Sequence, residues 1–167
     1  MIEIRDYQTN AIDELTHEAG VNGHRRLLLQ APTGSGKTAC FVRMVSHATK
    51  NKMRTLFLCA RREILHQTVN KLREYGLDPG IIMADEPNDP GALIQVASIQ
   101  SLHSHAIRRM KIDFPLADLV VLDECHSLSS STTWQRILFE YPNALILGLT
   151  ATPISRAGMG LAHYFDV

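Results

Sequence analysis

Leu27-Leu28-Leu29-Gln30-Ala31-Pro32-Thr33-Gly34-Ser35-Gly36-Lys37-Thr38 decides how this chain is built. An apolar run leads into a glycine-rich turn, and Lys-Thr then opens a helical pattern. The glycines let the backbone curl so that successive N–H groups point at one anion. The helix that follows adds its N-terminal amides and positive dipole end. Read this way, Pro32, Thr33, Gly34, Ser35, Gly36, Lys37 and Thr38 cradle a nucleoside triphosphate. Lys37 reaches the β- and γ-phosphates, and the Thr38 hydroxyl ligates Mg2+. The strict pattern opens with glycine, where this chain has Ala31. The competing reading is a Gly/Ser turn with an exposed lysine. The strand before it and the helix after it favour the cradle.

The rest of the chain alternates apolar runs with helical patterns. Strands are expected at Arg26–Gln30, Thr55–Ala60, Gly80–Ala84, Leu93–Ala97, Leu119–Leu122 and Ala144–Leu149. The runs are continuous rather than alternating, as in strands covered on both faces. Helices are expected at Asp6–Glu18, Lys37–Thr49, Glu63–Tyr75, Ile99–Met110 and Thr132–Tyr141, with Asp6 as the N-cap of the first. Strand–helix alternation implies right-handed crossovers and an α/β fold with a mainly parallel central sheet between helical layers. Ligands of such sheets sit at the carboxyl ends of the strands, where the glycine-rich turn lies. Asp85–Gly91, with Pro87 and Pro90, reads as a surface loop.

Composition narrows the class. The 167 residues make one domain of ordinary size. Its 17 basic and 17 acidic residues balance, so any nucleic-acid contact must be local rather than driven by a global field. Cys40 and Cys59 lie in apolar runs and read as buried thiols of a reducing compartment. No cysteine–histidine spacing suggests zinc, and His103 and His105 read as polar helix residues. The lone Trp134 reads as a packing aromatic. No apolar run approaches membrane-spanning length, and the expected address is cytoplasmic.

A second constellation complements the first. Leu119-Val120-Val121-Leu122-Asp123-Glu124 is a buried strand delivering two carboxylates at its carboxyl end. Asp123 can hold Mg2+ opposite Thr38, and Glu124 can orient or deprotonate a water attacking the γ-phosphate. Two acids after a strand are by themselves more often solvated loop acids; in one chain with the glycine-rich turn they read as its catalytic complement.

Asp123-Glu124-Cys125-His126 spells a DExH box. From these residues the chain resembles the first RecA-like domain of superfamily 2 helicases and translocases, closest to the DNA-repair and restriction-enzyme motor branch. Arg5-Asp6-Tyr7-Gln8 resembles that family's adenine-sensing Q motif, and Leu56 through Gln67 its motif Ia. Val96-Ala97-Ser98-Ile99-Gln100-Ser101-Leu102 resembles motif Ib, with Ser98 where threonine is usual, and Leu149-Thr150-Ala151-Thr152-Pro153 resembles motif III. Arg156 through Asp166 is similar to the tail after motif III, with Ala157-Gly158 in place of the usual Asp-Gly.

The resemblance implies roles. Gln8 would read the edge of adenine and favour ATP over GTP, with Arg5 stacking on or bracing the base. Arg61, Arg62, Ser98 and Gln100 would grip the backbone of one nucleic-acid strand, preferentially DNA, without reading its sequence. His126, Thr150 and Thr152 would couple the nucleotide site to the strand-binding face and to a second motor domain. That second RecA-like domain, carrying the arginine fingers, has no counterpart in these residues, so the chain is expected to be a fragment with slow turnover. Two other readings remain open: another P-loop ATPase, and a nucleotide-sensing or nucleic-acid-binding module without turnover.

Overall fold

The computed structural model describes residues 5–32, 34–84, 89–108, 112–152 and 161–167. Six strands form one sheet: β1 (Arg26–Gln30), β2 (Thr55–Cys59), β3 (Gly80–Ile82), β4 (Ile94–Ser98), β5 (Leu119–Asp123) and β6 (Leu145–Thr150). Their order across the sheet is β1-β6-β5-β2-β4-β3, and every pairing is parallel. The helices are α1 (Asp6–Gly20), α2 (Lys37–Lys50), α3 (Arg62–Glu74), α4 (Ile99–Leu102) and α5 (Thr132–Phe139).

Side chains alternate across each strand, and both faces are covered. Phe57 and Cys59 of β2 join Leu27, Val121 and Leu147 in the core beneath α1, α2 and α3. Leu56 and Leu58 point the other way, into a core with Leu122, Leu128, Trp134 and Ile137 beneath α4 and α5. This explains the unbroken apolar runs: strands buried on both faces have no solvent side on which to place polar residues. The chain runs from β1 through β2 to β3 with its helices on one face. It returns through β5 and β6 with its helices on the other, as right-handed crossovers require. All six carboxyl ends therefore open on one edge.

The strands lie where the apolar runs place them, within two residues at their ends. Three helical details differ. The N-cap of α1 is Arg5, and Asp6 is the first helical residue. The Arg5 N–H is met by the Gln8 side chain, whose Oε1 accepts it at 2.9 Å, so a box closed from the third helical residue replaces an acidic cap. The expected helix from Ile99 is α-helical only to Leu102 and continues as a π-helical turn through Arg108, with His103 and His105 half-buried within it. Residues 109 and 110 lie outside the described residues, as do 85–88 of the expected surface loop. Finally, α5 stops at Phe139, before Tyr141, whose hydroxyl donates to the Pro115 carbonyl at 2.8 Å. Cys40, Cys59 and Cys125 are free and buried, and burial pushes the thiols of Cys59 and Cys125 up to about 12.

The last residues return to the sheet. The Asp166 N–H donates to the Arg26 carbonyl, and the Leu28 N–H to the Val167 carbonyl, each at 2.7 Å. Phe165 thereby lies over the middle of β6, where a Cβ on Gly148 would come within 2.4 Å of its ring and 2.9 Å of the Cys125 sulfur. Glycine in this buried strand marks close approach of a neighbour. Gly148→Ala is expected to destabilise the fold by about 1–3 kcal/mol through overpacking. Urea denaturation checks this, and an unchanged midpoint would show that Phe165 is not wedged there.

Candidate nucleotide site and strand-end surface

The turn between β1 and α2 is built on two left-handed glycines, Gly34 and Gly36, both at φ +82°, a conformation L side chains rarely adopt. Gly36 is the N-cap of α2. Lys37 lies back across the turn, its Nζ donating to the carbonyls of Ala31 (2.8 Å) and Pro32 (3.1 Å). The Ser35 N–H also donates to the Pro32 carbonyl, at 3.2 Å. The Ser35 Oγ is buried with no hydrogen-bond partner among the described residues. The turn leads into the first amides of α2, the end of a helix that favours an anion. Thr33 lies outside the described residues.

Across from the turn, β5 ends in the two acids. Asp123 is half-buried, and its carboxyl is pushed up to about 6. Burial is the largest cause and the Glu124 charge the next, while the Lys37 charge opposes both. Glu124 stands in the left-handed region at φ 52°, ψ 48°. Such a conformation costs a non-glycine residue on the order of 1 kcal/mol or more and tends to mark functional positions. Its Oε2 lies 3.1 Å from the His126 Nδ1.

One cavity of about 500 Å³ is lined by Gly34, Gly36, Lys37, Thr38, Asp123 and Glu124 together. The fold thus unites two constellations that lie far apart in sequence. The cavity also extends to α3, which contributes Ile64, Gln67, Thr68 and Lys71. Ile64 and Gln67 fall in the stretch that resembles motif Ia, Thr68 and Lys71 just beyond it, and none of the four was expected at this cavity. Their spacing places them on one helix face, but such a stripe reads first as a core face. The Lys71 Nζ donates to Glu74 at 2.7 Å.

Among the described residues no cluster of three or more His, Cys, Asp or Glu could hold a metal. Thr38 and Asp123 fit the sparser set with which Mg2+ is held, one or two protein oxygens with substrate phosphates and water completing the shell. A larger cleft, about 910 Å³, lies at the opposite end of the sheet between α1 and α2. Ile12, Leu15, Met44 and Met53 are among its lining residues, and neither the glycine turn nor Asp123 or Glu124 is.

The residues around this centre are tied together. Gln8 is buried, and its Nε2 donates to the Ser35 carbonyl at 2.9 Å while its Oε1 caps α1. Arg5 is exposed. The Tyr7 hydroxyl, which sequence reasoning passed over, donates to the same Ser35 carbonyl at 2.6 Å. Thr150 ends β6 beside the turn, its carbonyl accepting the Ala31 N–H at 3.0 Å. Its hydroxyl donates to the Thr152 carbonyl (2.7 Å) and accepts the Thr152 N–H (3.1 Å), closing a tight hydroxyl turn. Pro153 and the Ala157-Gly158 departure lie outside the described residues.

The four residues expected at a nucleic-acid strand come out along neighbouring strand ends. β2 pairs with β4, Cys59 opposite Ser98, so the segments that follow emerge side by side. Arg61 is the N-cap of α3 and Arg62 its first residue, and both are exposed. Gln100 is exposed, whereas Ser98 is buried and caps α4, its Oγ accepting the Ser101 N–H at 3.3 Å.

A parallel α/β sheet with a left-handed glycine turn after β1 and paired acids after β5 is the arrangement of a P-loop nucleotide-binding domain, and with the Asp123-Glu124-Cys125-His126 box it is that of a RecA-like domain of the superfamily 2 helicase type. The comparisons agree. Over residues 1–155 the sequence matches the family described as the res subunit of type III restriction enzymes, and the chain belongs to it. It is 34% identical to the type I restriction enzyme EcoAI endonuclease subunit of Escherichia coli, covering 96% of this chain and 21% of that protein. The chain therefore spans about a fifth of that relative's length. Among solved structures it resembles the Pyrococcus furiosus Hef helicase domain, with TM-score 0.74 and 22% identity, over 91% of this chain and 33% of that one. It also resembles the type ISP restriction-modification enzyme LlaGI, solved with a DNA substrate mimic (TM-score 0.70, 18% identity, 95% of this chain and 18% of that one). At those identities the two structures speak for the fold. Among the described residues no helix is long and apolar enough to cross a membrane.

The Asp123 environment yields a stability test. Its carboxyl titrates near 6 when folded, above the ordinary value of 3.8, so the folded state binds the proton more tightly than the unfolded state. The cost of holding it ionised is full above pH 6, shrinks as pH falls through that range, and vanishes below the ordinary value. Asp123→Asn is expected to stabilise the fold by about 1–3 kcal/mol at pH 7.5, with the gain narrowing steadily towards pH 4. Thermal denaturation across that range checks it. A gain independent of pH would place the cause elsewhere than in the buried charge.

Proposed function

We propose that this chain is the ATP-binding first motor domain of a nucleic-acid-dependent helicase or translocase, acting on DNA. The single observation that carries the reading is the cavity shared by Lys37, Thr38, Asp123 and Glu124. The loop amides and Lys37 would hold the β- and γ-phosphates, with the orphaned Ser35 hydroxyl supplying a further donor. Thr38 and Asp123 would hold Mg2+, which neutralises phosphate charge when bound. Glu124, set into the cavity by its left-handed backbone, would take the proton of the attacking water. Pro32, Thr33, Gly34 and Gly36 would complete the cradle, and Gln8 and Arg5 would face the base.

Arg61, Arg62, Ser98 and Gln100 would form the backbone-gripping edge. Restriction motors among the relatives, and the DNA-bound LlaGI structure, support DNA as the track. The neutral charge balance supports weak, salt-sensitive binding by this domain alone. His126, Thr150 and Thr152, at or beside the ends of β5 and β6, would pass the nucleotide state to a second RecA-like domain of the same parent. In this reading residues 1–167 are one domain of a longer cytoplasmic protein. Turnover would be slow without the second domain, because a missing arginine finger costs roughly 10³–10⁵ in rate.

Calorimetric titration with Mg-ATP tests the binding half. The wild-type chain is expected to bind weakly, and Lys37→Ala to abolish binding with little effect on the melting temperature. Unchanged affinity in Lys37→Ala would refute the assignment. ATPase assays with and without single-stranded DNA or RNA test the rest: near-zero turnover is expected, and robust nucleic-acid-stimulated hydrolysis by these 167 residues would contradict the dependence on a second domain.

A further inference from the structure

The Ser35 carbonyl accepts two side-chain hydrogen bonds from one helix: from the Tyr7 hydroxyl at 2.6 Å and from the Gln8 Nε2 at 2.9 Å. Two donors on a single loop carbonyl amount to a clamp. Gln8 is itself fixed, since its Oε1 accepts the Arg5 N–H at 2.9 Å. The Gln8 amide also packs against Gly36, where an added Cβ would collide with its Nε2. The Ser35 carbonyl and the Gly36 N–H belong to one planar trans peptide unit and point in opposite directions. Holding the carbonyl against α1 therefore turns the Gly36 N–H away from α1, and Gly36 lines the cavity with Lys37 and Thr38. Tyr7 is 48% exposed, so burial does not account for its placement; its hydroxyl bond does.

We propose that Tyr7 is a positioning residue for polyphosphate: its hydroxyl, acting with the Gln8 amide, orients the 35–36 peptide so that an anion-binding N–H is presented before the ligand arrives. The proposal rests on the nucleotide reading of this cavity and assigns Tyr7 to the phosphate end of the ligand rather than to the base. Pre-orientation of this kind acts by sparing the ordering cost at the moment of binding. Losing one neutral hydrogen bond that holds it should weaken polyphosphate binding by roughly three- to tenfold.

Tyr7→Phe tests this while keeping the ring, and Tyr7 is exposed enough that the fold should tolerate the change. Three probes are titrated calorimetrically with the 167-residue chain: Mg-ATP, inorganic tripolyphosphate with Mg2+, and adenosine. The backbone amide resonance of Gly36 is followed by NMR in the ligand-free protein. The proposal expects ATP and tripolyphosphate to weaken by a similar factor, adenosine to be unaffected, and the Gly36 amide resonance to shift. Tripolyphosphate affinity equal to wild type overturns it, as does an unmoved Gly36 resonance. Weakening of ATP and adenosine with tripolyphosphate spared would make Tyr7 a base contact instead. Failure of the nucleotide reading looks different: the wild-type chain then binds neither ATP nor tripolyphosphate, or binds both equally well after Lys37→Ala, and the two readings fall together.

Discussion

The structure depends on a turn of backbone amides and a lysine meeting a pair of carboxylates across one edge of a parallel sheet. Parallel pairing forces every strand to point the same way, so every carboxyl end opens on one edge. The order β1-β6-β5-β2-β4-β3 then sets the turn after β1 and the acids after β5 two strands apart, with only β6 between them. The apolar runs that fill both faces of the sheet hold this spacing rigid.

Electrostatics at this edge are poised rather than relaxed. The Lys37 charge acts on Asp123, yet its Nζ donates to the Ala31 and Pro32 carbonyls. Asp123 is left half-buried beside Glu124, with a raised proton affinity. Glu124 holds an unfavourable backbone conformation and leans on His126. A cationic metal would favour the ionised form of Asp123, and a polyphosphate would take up the charge of Lys37. Stability lost to an uncompensated charge here is recovered on binding, the usual relation between a strained site and its ligand.

Much of this was legible in the sequence. The unbroken apolar runs showed strands covered on both faces, and the alternation with helical stretches gave the parallel sheet. Gly34 and Gly36 marked a left-handed turn because no other residue type adopts φ +82° cheaply. What stayed hidden was tertiary. Glu124 is not a residue type from which a left-handed conformation is inferred, and only the end of β5 imposes it. Gln67 and Lys71 of α3 share a stripe that reads as core until the neighbouring loop is placed against it. The bonds of Tyr7 and Gln8 to the Ser35 carbonyl had no signal either, because nothing local says that α1 lies against Ser35. Asp6 resembled a cap by type, but Gln8 reaches back to Arg5 and removes the need for one. The π-helical turn after Leu102 has no signal in residue type.

A crystal structure of the chain with Mg2+ and a non-hydrolysable ATP analogue tests the central claim most directly. Lys37 is expected to leave the Ala31 and Pro32 carbonyls for the β- and γ-phosphates, with the metal beside Thr38 and Asp123. A nucleotide bound elsewhere, with Lys37 still folded on those two carbonyls, would contradict it.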